Sequence, residues 1–237
     1  MGVIGQVDTF NAAFGGAGGA PVPGTADPDA LYVIWGGAND YLLAGFPLPA
    51  SGFTPDPSVT AGNIGSAIES LHTAGARNFL VLNLPDLAAT PMGGGDPGLS
   101  AATTAHNDAL HLVLADLAAT LIDLELFFFD VNALVADILA DPLSFGFPLA
   151  ALTGVGGDCL LPFGFCFELF GSEFATFGEG FFFWDVVHPT TIAHALIADG
   201  AVAALQIPDI PEPATLLVFA FGLAVLGASV TRRRTAV

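Results

Sequence analysis

The chain has 237 residues, 53% hydrophobic and 11% charged, and its 4 basic against 23 acidic residues give a formal charge of −19. That length suits one α/β domain with a tail, and the apolar content excludes a chain left disordered for want of hydrophobic residues. Lysine is absent and the only cations are Arg77 and the triplet Arg232, Arg233 and Arg234, so the folded part has no basic patch for a phosphate backbone and nucleic acid is not an expected partner.

Residues 2–28 are rich in Gly, Ala and Pro, with one short candidate helix over 3–14, and 1–30 reads as a connector. Residues 31–35 (Leu-Tyr-Val-Ile-Trp) are a continuous β-prone run closed by Gly36-Gly37, the pattern of a buried parallel strand entering a tight loop. Helical spacing over 58–74 leads to a second buried strand, 78–84, closed by Pro85-Asp86. A helix over 100–121 is expected to start from Ser100 as N-cap and to present Leu110, Val113, Leu114, Leu117 and Leu121 on its apolar face. The spacing then predicts a third strand over 124–131, a short helix over 132–140, an irregular stretch over 141–180 and a last helix over 190–205. Strands alternating with helices predict an α/β fold, a parallel sheet covered on both faces, with reactive groups gathered at the carboxyl ends of the strands.

Cys159 and Cys166 stand close together in a Gly/Phe/Pro-rich stretch. Their spacing suits a short disulfide-closed loop in an oxidising compartment; two free buried thiols are the other reading, and no neighbouring His or Cys completes a zinc site.

The tail reads Pro211-Glu212-Pro213, an uncharged run over 214–230, then Arg232, Arg233 and Arg234. The run reaches the lower limit of about 17 residues for a transmembrane helix. Arginines directly after it would stay cytoplasmic, placing everything before Pro211 on the outer side of the membrane. A buried core helix fits poorly, since such helices rarely end in three arginines after a Pro-Glu-Pro break. The three parts in this order resemble the PEP-CTERM sorting signal of Gram-negative bacteria. That resemblance implies an exosortase-type partner that processes the tail, with the domain exported to the cell surface or medium. An exported chain needs a signal peptide, and residues 1–24 show no basic n-region followed by an apolar h-region.

Two constellations carry chemistry. Gly37-Ala38-Asn39-Asp40 follows the first strand, where a glycine-shaped turn can aim the Asn39 amide at developing negative charge, although Asn-Asp after Gly-Gly also serves simply to cap a turn. Asp185-Val186-Val187-His188-Pro189 precedes the last helix, and its spacing lets a carboxylate orient an imidazole whose other nitrogen faces a cleft. Alone, the pair is equally a helix-entering carboxylate and a satisfied histidine. His72, His106, His111 and His194 are expected on helix surfaces; no cluster has metal-ligand spacing, the Gly15–Gly19 stretch matches no nucleotide fingerprint, and no cofactor is expected.

In order and position the two constellations resemble the Gly-x-Asn-Asp and Asp-x-x-His-Pro-[Thr/Ser] blocks of the GDSL (SGNH) ester hydrolases, closest to their plant-type, autotransporter-esterase branch. The resemblance extends over 31–41, over Asn83-Leu84-Pro85-Asp86-Leu87-Ala88-Ala89-Thr90-Pro91 and to Asn107. It implies a three-layer α/β/α, flavodoxin-like domain over 31–207 ahead of the 208–237 tail. It also implies an oxyanion-hole asparagine at Asn39 in a turn shaped by Gly37, a general base at His188 and its orienting carboxylate at Asp185. The substrate would be a lipid, aryl or acetylated-polysaccharide ester. The family's Gly-Asp-Ser block would precede Gly37, and no serine precedes Ser51. The expectation is therefore of a chain lacking its first strands, its nucleophile and its leader through truncation, with the inner edge of the sheet exposed. An exported, non-catalytic surface protein on a degenerate hydrolase scaffold is the alternative.

Overall fold

A computed structural model describes residues 2–42, 55–147 and 181–205. Their framework is a parallel sheet in the order β1 (Leu31–Ile34), β2 (Asn78–Leu82), β3 (Glu125–Phe129). Leu31 pairs with Asn78 and Asn78 with Glu125, so the three strands start level, and β1 ends one residue before the other two. The predicted strands 31–35, 78–84 and 124–131 contain all three. Each ends a residue or two early, because the chain bends into its loop as soon as the ladder stops.

The alternation of side chains along β2 builds two cores. Phe79 and Val81 face one way, into a core with Ile34 and the apolar stripes of α3 (Pro57–Ala74) and α4 (Pro97–Thr120). Leu80 and Leu82 face the other, against α5 (Val131–Ala140), α6 (Thr191–Ala204), Phe147, Phe182 and Phe183. The described part is thus a sheet between two helical layers, as the strand and helix alternation predicts.

Local chemistry fixes the helix starts. Asp56 and Asp96 each accept a backbone N–H two residues on, ahead of a proline whose fixed φ suits the first turn. This overturns Ser100 as an N-cap: α4 begins three residues before it, and Ser100 Oγ instead donates to Asp86 Oδ2 at 2.8 Å. Asp130 caps α5 and Thr190 caps α6. The two long helices touch closely because Gly65 has no side chain; a β-carbon there would lie 2.6 Å from Val113 Cγ1.

Residues 2–30, expected as a connector, contribute to the first core. α1 (Val3–Ala13) packs on α3, with Val7 buried and Val3, Ile4 and Phe10 against the same cluster. Asn11 is fully buried and donates to Gly19 O and Ser70 Oγ, both at 3.0 Å. Contacts group Met1–Leu205 as one unit and Gln206–Val237 as another, the second lying outside the described residues. Among the described residues no helix is long and apolar enough to cross a membrane, and the 214–230 run is not among them.

β1 is an edge strand of this sheet among the described residues. Leu31, Val33 (59% exposed) and Trp35 remain uncovered along it.

Candidate active site

The loops after the strands assemble one cavity. Beyond β1, Trp35 Nε1 donates to Asn83 O at 3.0 Å. Gly37 adopts φ 109°, a conformation an L side chain rarely takes, and its carbonyl accepts the Asp40 N–H at 3.1 Å. The chain then winds into the single helical turn α2 (Ala38–Leu42), so Asn39, expected in a glycine-flanked turn, stands in a short helix after Gly37 and exposed to solvent. Asp40 Oδ2 accepts from Thr60 Oγ1 at 2.8 Å, tying that turn to α3.

Beyond β2 the chain is clamped by two buried asparagines. Asn83 Nδ2 donates to Asp130 Oδ1 at 2.7 Å while its Oδ1 accepts the Asn132 N–H at 3.1 Å, linking the ends of β2 and β3. Asn107 reaches across from α4 and bonds both backbone groups of Leu84, accepting its N–H at 3.0 Å and donating to its C=O at 2.8 Å. Pairing these backbone groups just past the ladder fixes the cavity wall, because buried ones left open are costly.

Residues 181–190 fold back on themselves. Phe183 bridges Pro189, Trp184 N donates to His188 O at 2.7 Å, Thr190 N donates to Phe182 O at 2.9 Å, and Met92 N secures the loop through Val186 O at 2.8 Å. Within this hairpin His188 Nδ1 lies 2.6 Å from Asp185 Oδ2, while Asp185 Oδ1 accepts the backbone N–H groups of Val187 and His188 at 2.8 and 2.7 Å. Partial burial alone would raise the Asp185 pKa. The two backbone N–H groups and the imidazole outweigh it and hold the carboxyl below its ordinary value, so Asp185 is a carboxylate. In a neutral ring that donates Nδ1–H to this carboxylate, Nε2 is the accepting nitrogen.

Gly37, Asn39 and His188 all line a cavity of about 280 Å³. Most of the rest of its wall is apolar, including Leu84, Leu87, Val135, Phe182 and Ile197. The structure therefore brings three of the four predicted site residues to one cavity, with the fourth, Asp185, bonded to His188. The arrangement can take a proton at Nε2, hold the resulting imidazolium against a carboxylate, and offer an amide donor nearby. Cys159, Cys166, Pro211, Glu212, Pro213, Arg232, Arg233 and Arg234 lie outside the described residues. Among the described residues no three His, Cys, Asp or Glu side chains gather as metal ligands.

One histidine expected at a helix surface is not there. His106 is fully buried, with Nδ1 3.1 Å from the Tyr41 hydroxyl, and burial pushes its pKa below the ordinary value despite the nearby Asp40 charge. The signal was available: His106 lies four residues before Leu110 and eight before Leu114, on the buried stripe of α4. His72 is half-buried and bonded to Ile122 O, while His111 and His194 are exposed.

Residues 5–201 match the family profile described as GDSL-like lipase/acylhydrolase, and residues 209–234 match the PEP-CTERM protein-sorting motif. The chain is 34% identical to an uncharacterized protein in the trpE-trpG intergenic region of Pseudomonas putida, over 77% of the chain and 30% of that protein. It is 27% identical to a phosphatidylcholine-sterol acyltransferase of Aeromonas hydrophila, over 76% of the chain and 62% of the relative. Esterase EstA of Pseudomonas aeruginosa is 32% identical over 77% of the chain and 27% of its own length. The chain thus spans less than two thirds of each of these relatives.

Proposed function

The chain belongs to the GDSL-like lipase/acylhydrolase family, and from that membership we propose that its domain serves the hydrolysis of carboxylic esters through an acyl-serine, with His188 as general base, Asp185 as its orienting carboxylate and Asn39 as an oxyanion donor. The observation that carries this reading is the 2.6 Å contact between His188 Nδ1 and Asp185 Oδ2 on the wall of the cavity that Asn39 also lines. In the first half-reaction His188 Nε2 takes the proton of the attacking serine hydroxyl, and Asp185 stabilises the imidazolium. The Asn39 amide donates to the tetrahedral oxyanion. Collapse expels the alcohol, which takes the proton from His188, and water repeats the sequence to release the acid.

The apolar wall supports an ester with a hydrocarbon acyl group over a strongly polar one. The nucleophile of this reading is the serine of the family's Gly-Asp-Ser block; no serine stands ahead of Gly37 in these 237 residues. A second reading is an exported non-catalytic surface protein on a hydrolase scaffold. The match to the sorting motif supports export and processing by an exosortase-type enzyme in a Gram-negative cell, with 214–230 as the span and Arg232, Arg233 and Arg234 on the cytoplasmic side.

One experiment separates the readings. p-Nitrophenyl ester turnover is measured for this chain alone and for the chain joined at Met1 to a segment bearing the Gly-Asp-Ser block of a relative. The enzymatic reading expects no turnover from the first and turnover from the second that His188→Ala abolishes. A folded fusion that stays inactive, or activity that His188→Ala leaves unchanged, sinks it.

A further inference from the structure

His106 belongs to no step of the proposed mechanism, yet it lies directly beneath the turn that presents Asn39. Its ring meets the Tyr41 ring edge-on with centroids 5.6 Å apart, and Nδ1 shares a hydrogen bond with the Tyr41 hydroxyl at 3.1 Å. On its other side the ring touches Gly37: a β-carbon there would lie 2.9 Å from Cε1 and 3.3 Å from Nε2. The imidazole therefore supports both ends of the five-residue stretch that carries Asn39. Nε2 is buried and has no hydrogen-bond partner among the described residues.

Burial weighs against an imidazolium even though one neighbour, the Asp40 carboxylate, favours it. The charged group acting on the ring is Asp40 of α2, whose carboxylate already accepts from Thr60 Oγ1; α3 offers the uncharged Thr60, and Tyr41 is neutral. A protonated ring would bury a charge with at least one N–H unmatched, which is costly. The two elements facing that cost are unequal. α4 has 24 residues and a capped start, whereas α2 is five residues long, too short to hold itself helical. α2 yields first.

We propose that His106 is a positioning residue that holds the Asn39 turn in donor geometry only while its ring is neutral, making this turn sensitive to mild acid. This rests on the reading of Asn39 as the oxyanion donor, but the test does not use ester turnover, so either idea can fail alone.

The test is NMR on the whole isotope-labelled chain, following the His106 ring nitrogens and the Asn39 side-chain amide from about pH 8 to about pH 5. The expected result is a sharp Asn39 amide pair at the upper end that is lost in the same step as His106 takes its proton. His106→Phe keeps a ring under the turn and removes the titration, so the Asn39 step should vanish; a ring that merely fills space would leave it in place. His188→Ala should retain the step. A step that persists in His106→Phe, or disappears in His188→Ala, overturns the proposal. If His106→Phe does not fold, the unmodified chain decides: midpoints for the two residues separated by more than about one pH unit overturn it, and coincident ones support it.

Discussion

Asp185 grips His188 twice, through the ring Nδ1 at 2.6 Å and through the backbone N–H at 2.7 Å, so the carboxylate and the imidazole it orients cannot shift independently.

Asp185→Asn tests that grip. An amide presents one acceptor where the carboxylate presents two, so the ring loses its Nδ1–H acceptor or the backbone loses its own. In a turnover-competent fusion the rate should fall on the order of 10⁴-fold, the loss the same change causes in a serine-protease triad. The change also alters acid stability. Asp185 titrates below its ordinary value of 3.8 in the fold, so its contribution is present above that value and is lost as pH falls toward the lowered one. Urea unfolding near about pH 7 and about pH 3 should show a smaller acid loss in Asp185→Asn than in the parent; equal losses would contradict the assignment.

Asn107→Ala removes both partners of the Leu84 backbone groups while leaving them buried. At about 1–3 kcal/mol for each of the two groups left open, the cost should be about 2–6 kcal/mol. The midpoint of urea unfolding measures it, and a cost below about 1 kcal/mol would mean that water replaces the side chain freely.

Gly37→Ala combines positive φ with a clash at 2.9 Å on His106 and 3.2 Å on Thr60. The expected destabilisation is about 1–3 kcal/mol. Combining it with His106→Ala removes the obstruction, and the double-mutant cycle should show a favourable coupling of at least about 0.5 kcal/mol. Strict additivity would place the strain in the backbone alone.

Phe182→Ala tests whether the hairpin bearing the Asp-His pair is seated by its aromatic root. Phe182 is 2% exposed, edge-on to Phe147 at 5.5 Å and to Phe183 at 4.9 Å. Its truncation should cost about 3–5 kcal/mol in urea unfolding. It should also broaden the His188 ring signals at pH 7, since the Phe182 carbonyl anchors Thr190.

Elements whose identity is local were legible in the amino-acid order. The three apolar, β-rich runs each contain an observed strand, and the Asp-x-x-His spacing, ambiguous alone, together with the family resemblance marked the pair found at 2.6 Å. What escaped depends on packing or on competition. Asp96-Pro97 after three glycines reads as loop, yet Asp96 caps α4 and the proline suits its first turn. The helix expected over 3–14 is observed as α1, but the Gly and Pro density of 2–28 hides that its Val3, Ile4, Val7 and Phe10 stripe docks on the core. His106 was missed because the buried face of α4 was drawn through its leucines; the same line continued backward passes through Asn107 and His106.

Among the described residues β1 has no strand on one side, and that edge bears on association between copies of this chain. The unpaired backbone edge of β1, flanked by the exposed Leu31 and Val33, can template another copy, but ladder contact requires approach to about 5 Å. At a formal −19, two copies repel each other over the Debye length, about 8 Å at physiological ionic strength and about 3 Å at 1 M. Light scattering should therefore show association rising with salt and suppressed by Val33→Lys, which would make ionic strength the control on whether this edge stays single.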